Sequence, residues 1–377
     1  TYTAANTISG SGGITQAGSG TVFLSSAANN FTGAVNITAG TLKVSDVANV
    51  GFNSALGTGA GTSTVTLSSG ATFEFDAAGT DSTNRAISLP VGAGTINVAA
   101  GTLNLTGTGG LRGGGATSSF HRNGAGTLVI SGSESWDGNG FIHAGTLAIG
   151  ANGGAPGSTS LDGGNWELNG SATLRINTSG EFASSAITRN GSSNVNLESG
   201  TLRTNTLSGT GTMTWGAATL TMLEERVGTA SGPDRSVGAA SGPVVREGTV
   251  INATGALTTS TGSLLDLGPM YSSGGYLYDR LAITGSLNLS AGGDTLNFEV
   301  NPYFLRPSSA DSVVTGDWGT LRLILADNVT GIFNTITGIG NDAIGWHELG
   351  SQVGDPTFTT AASLPLNTWH IEYVGSG

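Results

Sequence analysis

The sequence predicts an all-β chain whose body is a right-handed β-solenoid with a β-rich, more aromatic C-terminal region. The first observation is a recurring phrase, in which a glycine and a threonine or alanine precede alternating apolar and polar residues. The second is its spacing, which is 20 residues from Gly20 to Gly40 and 19 from Gly126 to Gly145. A repeat of about 20 residues is typical of one solenoid coil.

Each copy of the phrase predicts one short strand. Alternation with a period of two directs Leu, Val and Ile to one face and Thr, Asn, Lys or Arg to the other. The glycine in front supplies a tight corner. The copies lie at residues 20–24, 40–44, 70–75, 94–98, 101–105, 126–130, 145–149, 172–176, 200–202 and 319–323.

The structural alternative is a β-sandwich or barrel, which also has short strands at regular spacing. Those folds usually bury many large aromatic residues, whereas aromatic residues are 6% of this chain. Leu, Val, Ile, Ala and Thr dominate the strands. A narrow solenoid interior requires residues of this size, so the sequence favours the solenoid for residues 1–222.

A charged segment interrupts the pattern at residues 223–248. It contains two Gly-Pro steps, at Pro233 and Pro243, which end any strand. We interpret it as a loop or insertion, either solvated or available for docking. Residues 249–377 then hold five of the six tyrosines and three of the six tryptophans. They are predicted to continue the solenoid or to cap it.

The composition excludes several classes of protein. Cysteine is absent, so there is no disulfide framework, thiolate metal site or cysteine nucleophile. The net charge of −12 and a single lysine, Lys43, argue against nucleic acid as a partner. No apolar run reaches the roughly 18 residues that a membrane span needs. The first residue is Thr1, which we interpret as the start of a processed or partial chain.

No catalytic residue and no cofactor are predicted. Glu74 and Asp76 share one strand face, which is read as a solvated outer surface. The four histidines have no partner at metal-ligand spacing, and His143 is interpreted as a strand-face residue. A calcium-binding nonapeptide series is absent, although an isolated structural Ca²⁺ is left open. The histidines are His121, His143, His347 and His370.

Two stretches resemble the autotransporter-associated β-strand repeat. That repeat reads Gly-x-Gly-Thr-Leu-x-Leu-Ser, then Asn-x-Tyr-Thr-Gly, then x-Ile-x-Ala-Gly-Thr-Leu. Residues 18–44 match it with Phe31 at the aromatic position. Residues 124–147 form a weaker copy with Trp136 there but without the following Thr-Gly. Residues 278–289 are similar to a segment of large secreted proteins that combine such repeats with a C-terminal sorting tail.

The resemblance implies a secreted or cell-surface bacterial protein with a β-helical body and no catalytic residues. With few charges to desolvate, we predict a non-enzymatic structural protein that self-associates into a filament, sheath or surface layer. A strand-like N-terminal segment could add to the open sheet edge of a second copy. The predicted subunit contacts are Tyr2, Thr3, Ala4, Ile8, Tyr271, Tyr276 and Tyr278.

Two other functions are kept open. One is a cell-surface adhesin or carbohydrate-binding module, whose partner is a surface or matrix polysaccharide. An exposed row of aromatic rings would indicate it, and the candidates are Trp136, Trp166 and Trp215. The other is a β-helical polysaccharide-degrading enzyme, which an acid pair with perturbed pKa values in a groove would indicate.

Overall fold

A computed structural model shows a chain of β-strands with no helix among the residues it describes. It describes residues 1–59, 64–89, 92–107, 110–113, 115, 118–132, 134–216, 218–221, 250–254, 257–259, 264–269, 280–289, 295–300, 324–331, 335–342 and 345–353. The strands form a parallel β-solenoid of about ten turns. The predicted fold class is therefore confirmed. A β-sandwich, built from antiparallel sheets, is excluded.

The chain divides into two compact units. The first comprises residues 1–202 and 209–213, and the second comprises residues 203–208 and 214–377. The predicted insertion at 223–248 lies outside the described residues. The domain limits drawn from the sequence therefore stay a prediction.

The first unit is built from short parallel strands in two sheets. The six-stranded sheet contains β2, β4, β6, β8, β10 and β13, and the remaining strands of the unit belong to the larger sheet. The strands are β1 Tyr2–Ala4, β2 Ile14–Gln16, β3 Thr21–Leu24, β4 Val35–Ile37, β5 Thr41–Val44, β6 Val65–Leu67, β7 Thr72–Thr83, β8 Ile87–Leu89, β9 Ala93–Leu105, β10 Leu111–Gly113, β11 Ser119–Asn123, β12 Thr127–Ile130, β13 Ser135–Trp136, β14 Asn139–Ile142, β15 Thr146–Gly150, β16 Leu161–Leu168 and β17 Thr173–Arg189.

Two further strands contain residues of both units, and within the second unit the strands from β20 to β27 pair in parallel. The β27–β28 pair is antiparallel. The strands are β18 Asn194–Gly209, β19 Thr212–Trp215, β20 Thr219–Thr221, β21 Val250–Thr254, β22 Leu257–Thr259, β23 Leu264–Pro269, β24 Arg280–Leu289, β25 Thr295–Val300, β26 Ile324–Gly331, β27 Thr335–Asp342 and β28 Gly345–Val353. In β24, the side chains of Leu287 and Leu289 are buried.

The repeated phrase produces columns of identical residues along the first unit. Leu103, Leu128, Leu147 and Leu174 occupy one register position in successive coils. Each of them is fully buried. The threonine just before each leucine lies in the same register on the half-buried outer side. The period-two alternation therefore fixes which face of every strand forms the core.

Large aromatic rings also fill this core, which the sequence predicted to hold small residues. Trp136 and Trp166 are each 1% exposed, and the Phe120 ring lies edge-on to both. Glycines provide the room: a Cβ on Gly140 would overlap the Trp166 ring, and one on Gly138 would lie against Trp136. The expectation of a core without large rings is therefore wrong, because glycines beside them leave space.

In the repeat copies, a strand begins after a corner whose backbone carbonyl groups need hydrogen-bond donors. In the first repeat copy, the buried Gln16 side chain donates from Nε2 to the carbonyls of Gly18 and Gly20, at 2.7 and 3.0 Å. In the second copy Arg122 does the same, and its guanidinium donates to Gly124 and Gly126.

A glycine of the following coil then lies over the corner in each copy. Gly40 has φ +63° and lies against the Gly18 and Gly20 carbonyls, and Gly145 has φ +64° and lies against those of Gly124 and Gly126. A Cβ at either position would overlap these oxygens. The two repeat copies therefore share a polar side chain, a corner and a glycine that covers it.

A long loop after β5 is held by carboxylate and amide side chains. The Asp46 carboxylate accepts from the Ala55 N–H at 3.2 Å, and Asp81 accepts from the Val47 N–H at 3.2 Å. The loop lengthens its coil, so Leu42 pairs with Phe73, 31 positions later. Phe52 is an exposed large hydrophobic residue of this loop, with 67% of its surface accessible.

Candidate functional site

The predicted subunit contacts at the N-terminus lie in a strand that is already paired. Tyr2, Thr3 and Ala4 form β1 and align with residues 22–24 of β3 in the same coil stack. Tyr2 is 68% exposed. The opposite edge of β1 has no partner strand among the described residues. These residues therefore form a sheet edge rather than a free segment.

The other predicted contacts have different settings. Ile8 is half-buried, and its N–H donates to Asn29 Oδ1 at 2.8 Å, so it is anchored to its own chain. Tyr271, Tyr276 and Tyr278 lie outside the described residues. Their role in a subunit contact stays a prediction.

The tryptophans that the sequence offered as a sugar-stacking row face inward. Trp136, Trp166 and Trp215 are 1%, 1% and 0% exposed. Buried rings cannot stack on a polysaccharide. An adhesive surface of the first unit therefore has to use other side chains.

The acids Glu74 and Asp76 lie beside the lysine of the neighbouring coil. Lys43 Nζ is 3.1 Å from Glu74 and 2.5 Å from Asp76, and it lies 5.4 Å from the centre of the Phe23 ring. The hydrogen bond to Asp76, opposed by partial burial and aided by Glu74, raises the pKa of Lys43. Asn97 also donates to Glu74 at 2.9 Å. The cluster is an outer-face charge network, as the solvated-surface interpretation predicts.

A half-buried glutamate lies just before β13 of the smaller sheet, with one carboxylate oxygen shielded from solvent. Glu134 accepts a hydrogen bond from the Leu111 N–H. Burial raises the pKa of Glu134 to about 8, although the Leu111 N–H and the charge of Arg112 act against the rise. No second carboxylate contributes to this shift. Within the described part of the chain, Glu134 is therefore not half of an acid pair.

Two histidines on the outer face are brought into contact. His121 Nδ1 is 2.9 Å from His143 Nε2, and the two ring planes differ by 6°. The ring centroids are 5.2 Å apart, which is the N···N distance plus the two distances from centroid to nitrogen. The rings therefore lie side by side in one plane and share a hydrogen bond along the line between them.

The histidine pair has further polar and aromatic neighbours. Ser119 Oγ is 3.2 Å from His121 Nε2, the other nitrogen of that ring. The Phe141 ring is stacked on His121, with centroids 4.8 Å apart and planes within 8°. Burial, with the nearby His143, lowers the pKa of His121. His121 is half-buried and His143 is exposed.

No local metal-ligand spacing joins these two histidines, yet the fold brings their rings into contact. His121 aligns with Phe141 across β11 and β14, and His143 follows β14 directly. Their separation of 22 residues is the 20-residue offset between β11 and β14 plus two positions, and no local metal-ligand motif has this spacing. The repeat indicates that the two histidines lie in neighbouring coils, but it does not indicate that their rings meet. Among the described residues, no group of three or more His, Cys, Asp or Glu could hold a metal ion.

Comparison with known proteins agrees with the repeat geometry. A family model described as Passenger-associated-transport-repeat matches residues 14–44 and 121–149. In these two segments, the side chain of Gln16 or Arg122 donates hydrogen bonds to the corner carbonyls, and a glycine of the next coil lies over the corner. The resemblance to autotransporter-associated repeats is confirmed.

The chain is also similar to a curated protein, the "Adhesin BmaC autotransporter" of Brucella suis biovar 1 (strain 1330). The two are 34% identical over 134 residues, which are 35% of this chain and 4% of the relative. The chain thus corresponds to a small part of that protein's length. No solved structure matches the chain. The described residues contain no helix with the length and hydrophobicity of a membrane span.

Proposed function

We propose that the chain is a non-enzymatic, extracellular, adhesin-like passenger segment exposed at a bacterial cell surface. The observation that carries this proposal is the pair of passenger-associated repeats, each folded into solenoid coils with the same corner geometry. The identity with part of an autotransporter adhesin supports the same function. The ligand class that we propose is a cell-surface or matrix polysaccharide.

The physical properties of the fold suit this role. The parallel ladders pair the backbone of inner strands with the coils on either side, and a solenoid can lengthen by adding coils. The chain has no cysteine, so this stability does not depend on a redox environment. The outer ladder of threonines presents hydroxyl groups, which bind sugars through hydrogen bonds.

Immobilised purified chain, incubated with a panel of bacterial and host polysaccharides, tests adhesion. Saturable binding to one class, with no shortening of the polymer, is the expected result. Shortening of a bound polysaccharide would contradict the non-enzymatic assignment. Absence of binding to the whole panel would contradict the polysaccharide ligand class.

We also propose that copies of the chain associate through the outer edge of β1. The Ser25 N–H donates to the Ala4 carbonyl at 3.2 Å, so Ala4 directs its backbone groups toward β3. Because successive residues of a strand alternate, Thr3 directs its N–H and C=O to the opposite edge. That edge can accept a strand from a second copy.

Thr3→Pro tests this contact, because it removes the N–H at the outer edge and leaves the Ala4 bond to β3. Thr3→Val is the matched control, since it keeps the N–H and a β-branched side chain. In negative-stain electron microscopy over a concentration series, wild type and Thr3→Val should assemble and Thr3→Pro should remain monomeric. Equal assembly of all three chains would refute the contact. Monomers of the wild type at every concentration would refute self-association itself.

A further inference from the structure

The coplanar pair of His121 and His143 has no role in the proposed function and points to a binding site. We propose that these two imidazoles bind one divalent transition-metal cation of the Zn²⁺, Ni²⁺ and Cu²⁺ class on the outer face of the first unit. The inference stands on the geometry of the pair and does not depend on adhesion or self-association.

The first argument is distance. Bonds from Zn²⁺ to imidazole nitrogen are about 2.0–2.1 Å long, so two nitrogens at a right angle on one ion are about 2.9 Å apart. His121 Nδ1 and His143 Nε2 are 2.9 Å apart. A tetrahedral angle needs about 3.4 Å. The observed N···N separation thus differs from the required one by at most about half an ångström. Because the facing nitrogens lie on one line in the metal-free pair, binding also requires His143 Nε2 to move about 2 Å off that line by rotation of its side chain.

The second argument concerns the protons. In the metal-free pair, one of the two facing nitrogens donates and the other accepts. Metal binding requires both of these nitrogens to be unprotonated, so each ring must carry its proton on its other nitrogen. For His121 that nitrogen is Nε2, which lies 3.2 Å from Ser119 Oγ. A hydroxyl oxygen can accept this N–H, which is the usual outer partner of a metal-bound imidazole.

The third argument is the division between a fixed and an adaptable ligand. Phe141 is stacked on His121, which together with Ser119 holds that ring in one orientation. His143 is exposed and lies just beyond the end of β14, so its ring can rotate to aim its lone pair at the ion. One preorganised imidazole and one adaptable imidazole form a bidentate site.

The donor set selects the class of metal. Imidazole nitrogen suits Zn²⁺, Cu²⁺ and Ni²⁺, whereas Ca²⁺ and Mg²⁺ take oxygen ligands. No third His, Cys, Asp or Glu joins the pair among the described residues, so water completes the coordination there. Positions occupied by water are open to donors from a second molecule.

The test uses the whole chain and Zn²⁺ or Ni²⁺ alone in isothermal titration calorimetry, with Ca²⁺ as the control cation. The chain has four histidines, which allows a matched comparison. The double variant His347→Gln/His370→Gln keeps the proposed site, and His121→Gln/His143→Gln removes it. We expect one bound ion per chain, or one per two chains if the open positions join two copies. Removal of the pair should weaken binding at least about tenfold.

His143→Gln alone separates ligation from folding, because the side chain is exposed and its removal leaves the core intact. Its far-UV circular dichroism should equal that of the wild type while its affinity falls. Ser119→Ala should weaken binding less than His143→Gln, because it removes only the outer hydrogen bond. Unchanged affinity in His143→Gln, equal affinity in the two double variants, or no Zn²⁺ binding by the wild type would each overturn the proposal.

Discussion

Arg122 occupies a position where neighbouring coils place aliphatic side chains. It aligns with Ile96 on one side and Ile142 on the other, and it is fully buried. Its guanidinium donates to the carbonyls of Asn123, Gly124, Ala144 and Gly126. Burial lowers the pKa of Arg122 to about 10, so it stays charged at neutral pH. The charge is tolerated because carbonyl oxygens surround it.

Arg122→Ala is expected to lower the free energy of unfolding by about 2–4 kcal/mol, because it leaves buried carbonyls unpaired and creates a cavity. Arg122→Gln should recover part of this loss, because Gln16 bonds the equivalent corner in the first repeat. Urea unfolding followed by tryptophan fluorescence measures both. Arg175→Ala is the control, since its ion pair with Glu198 is partly exposed and contributes about 0–1 kcal/mol. Equal effects at Arg122 and Arg175 would contradict the argument.

Glu134 predicts a dependence of stability on pH. Its folded-state pKa of about 8 lies above the value of about 4.3 for an unfolded glutamate. The folded state therefore favours the protonated form of the Glu134 carboxyl group. The contribution of this group to the free energy of unfolding is fully present below about pH 4.3 and is lost as the pH rises through about 8. The loss should be on the order of a few kcal/mol.

Glu134→Gln should flatten this profile and raise the thermal midpoint at pH 8 relative to wild type. Glu198→Gln provides a control with the same change of net charge at a partly exposed position. Thermal unfolding monitored by circular dichroism between pH 5 and pH 8.5 gives the comparison. Parallel profiles for wild type and Glu134→Gln would show that the carboxyl group is not buried as described.

At the level of the strand, local sequence was sufficient for most of the first unit. The phrase around Gly145 predicts a strand at residues 145–149, and β15 is Thr146–Gly150. The reason is that a solenoid strand needs only its own alternation and a corner glycine. The same phrase at residues 319–323 lies outside the described residues.

What local sequence could not provide is the contact between coils. His121 and His143, Lys43 and Glu74, and Arg122 and Ala144 are each brought together by register. Register depends on the number of residues in each coil, which is 20 from Val22 to Leu42 but 31 from Leu42 to Phe73. A fixed period therefore fails to place such pairs. The burial of Trp166 could not be predicted for a related reason, because the space for its ring comes from Gly140 of the neighbouring coil.

The corner glycines give a prediction at this scale. Gly145→Ala should lower the free energy of unfolding by at least about 2 kcal/mol, since φ is +64° and a Cβ would overlap two carbonyl oxygens. Gly79→Ala is the control, because nothing lies within 4 Å of a Cβ there and its φ is ordinary. Urea denaturation of the two variants should separate them clearly. Similar stabilities would indicate that the corner can move away from the methyl group at little cost.

Over the whole first unit, each coil contacts only its neighbours. A substitution at one corner should therefore alter the energetics of that corner and leave the energetics of corners in distant coils unchanged. Gly145 lies over the carbonyls that Arg122 holds, so the two residues share one corner. Gly40 belongs to the other repeat copy, three coils before Arg122, at roughly 14 Å for a strand spacing of about 4.8 Å.

Two double-mutant cycles test this independence. The double variant Gly145→Ala/Arg122→Ala should lose less free energy of unfolding than the sum of the losses in the two single variants, by at least about 0.5 kcal/mol. The reason is that displacing the corner in Gly145→Ala already breaks the Arg122 hydrogen bonds. In the double variant Gly40→Ala/Arg122→Ala, the two losses in the free energy of unfolding should add within about 0.5 kcal/mol, because the sites share no partner. Urea unfolding of the six chains provides both cycles. Strong coupling between Gly40 and Arg122 would mean that the unit behaves as one rigid body, in which strain at any corner reaches every other coil.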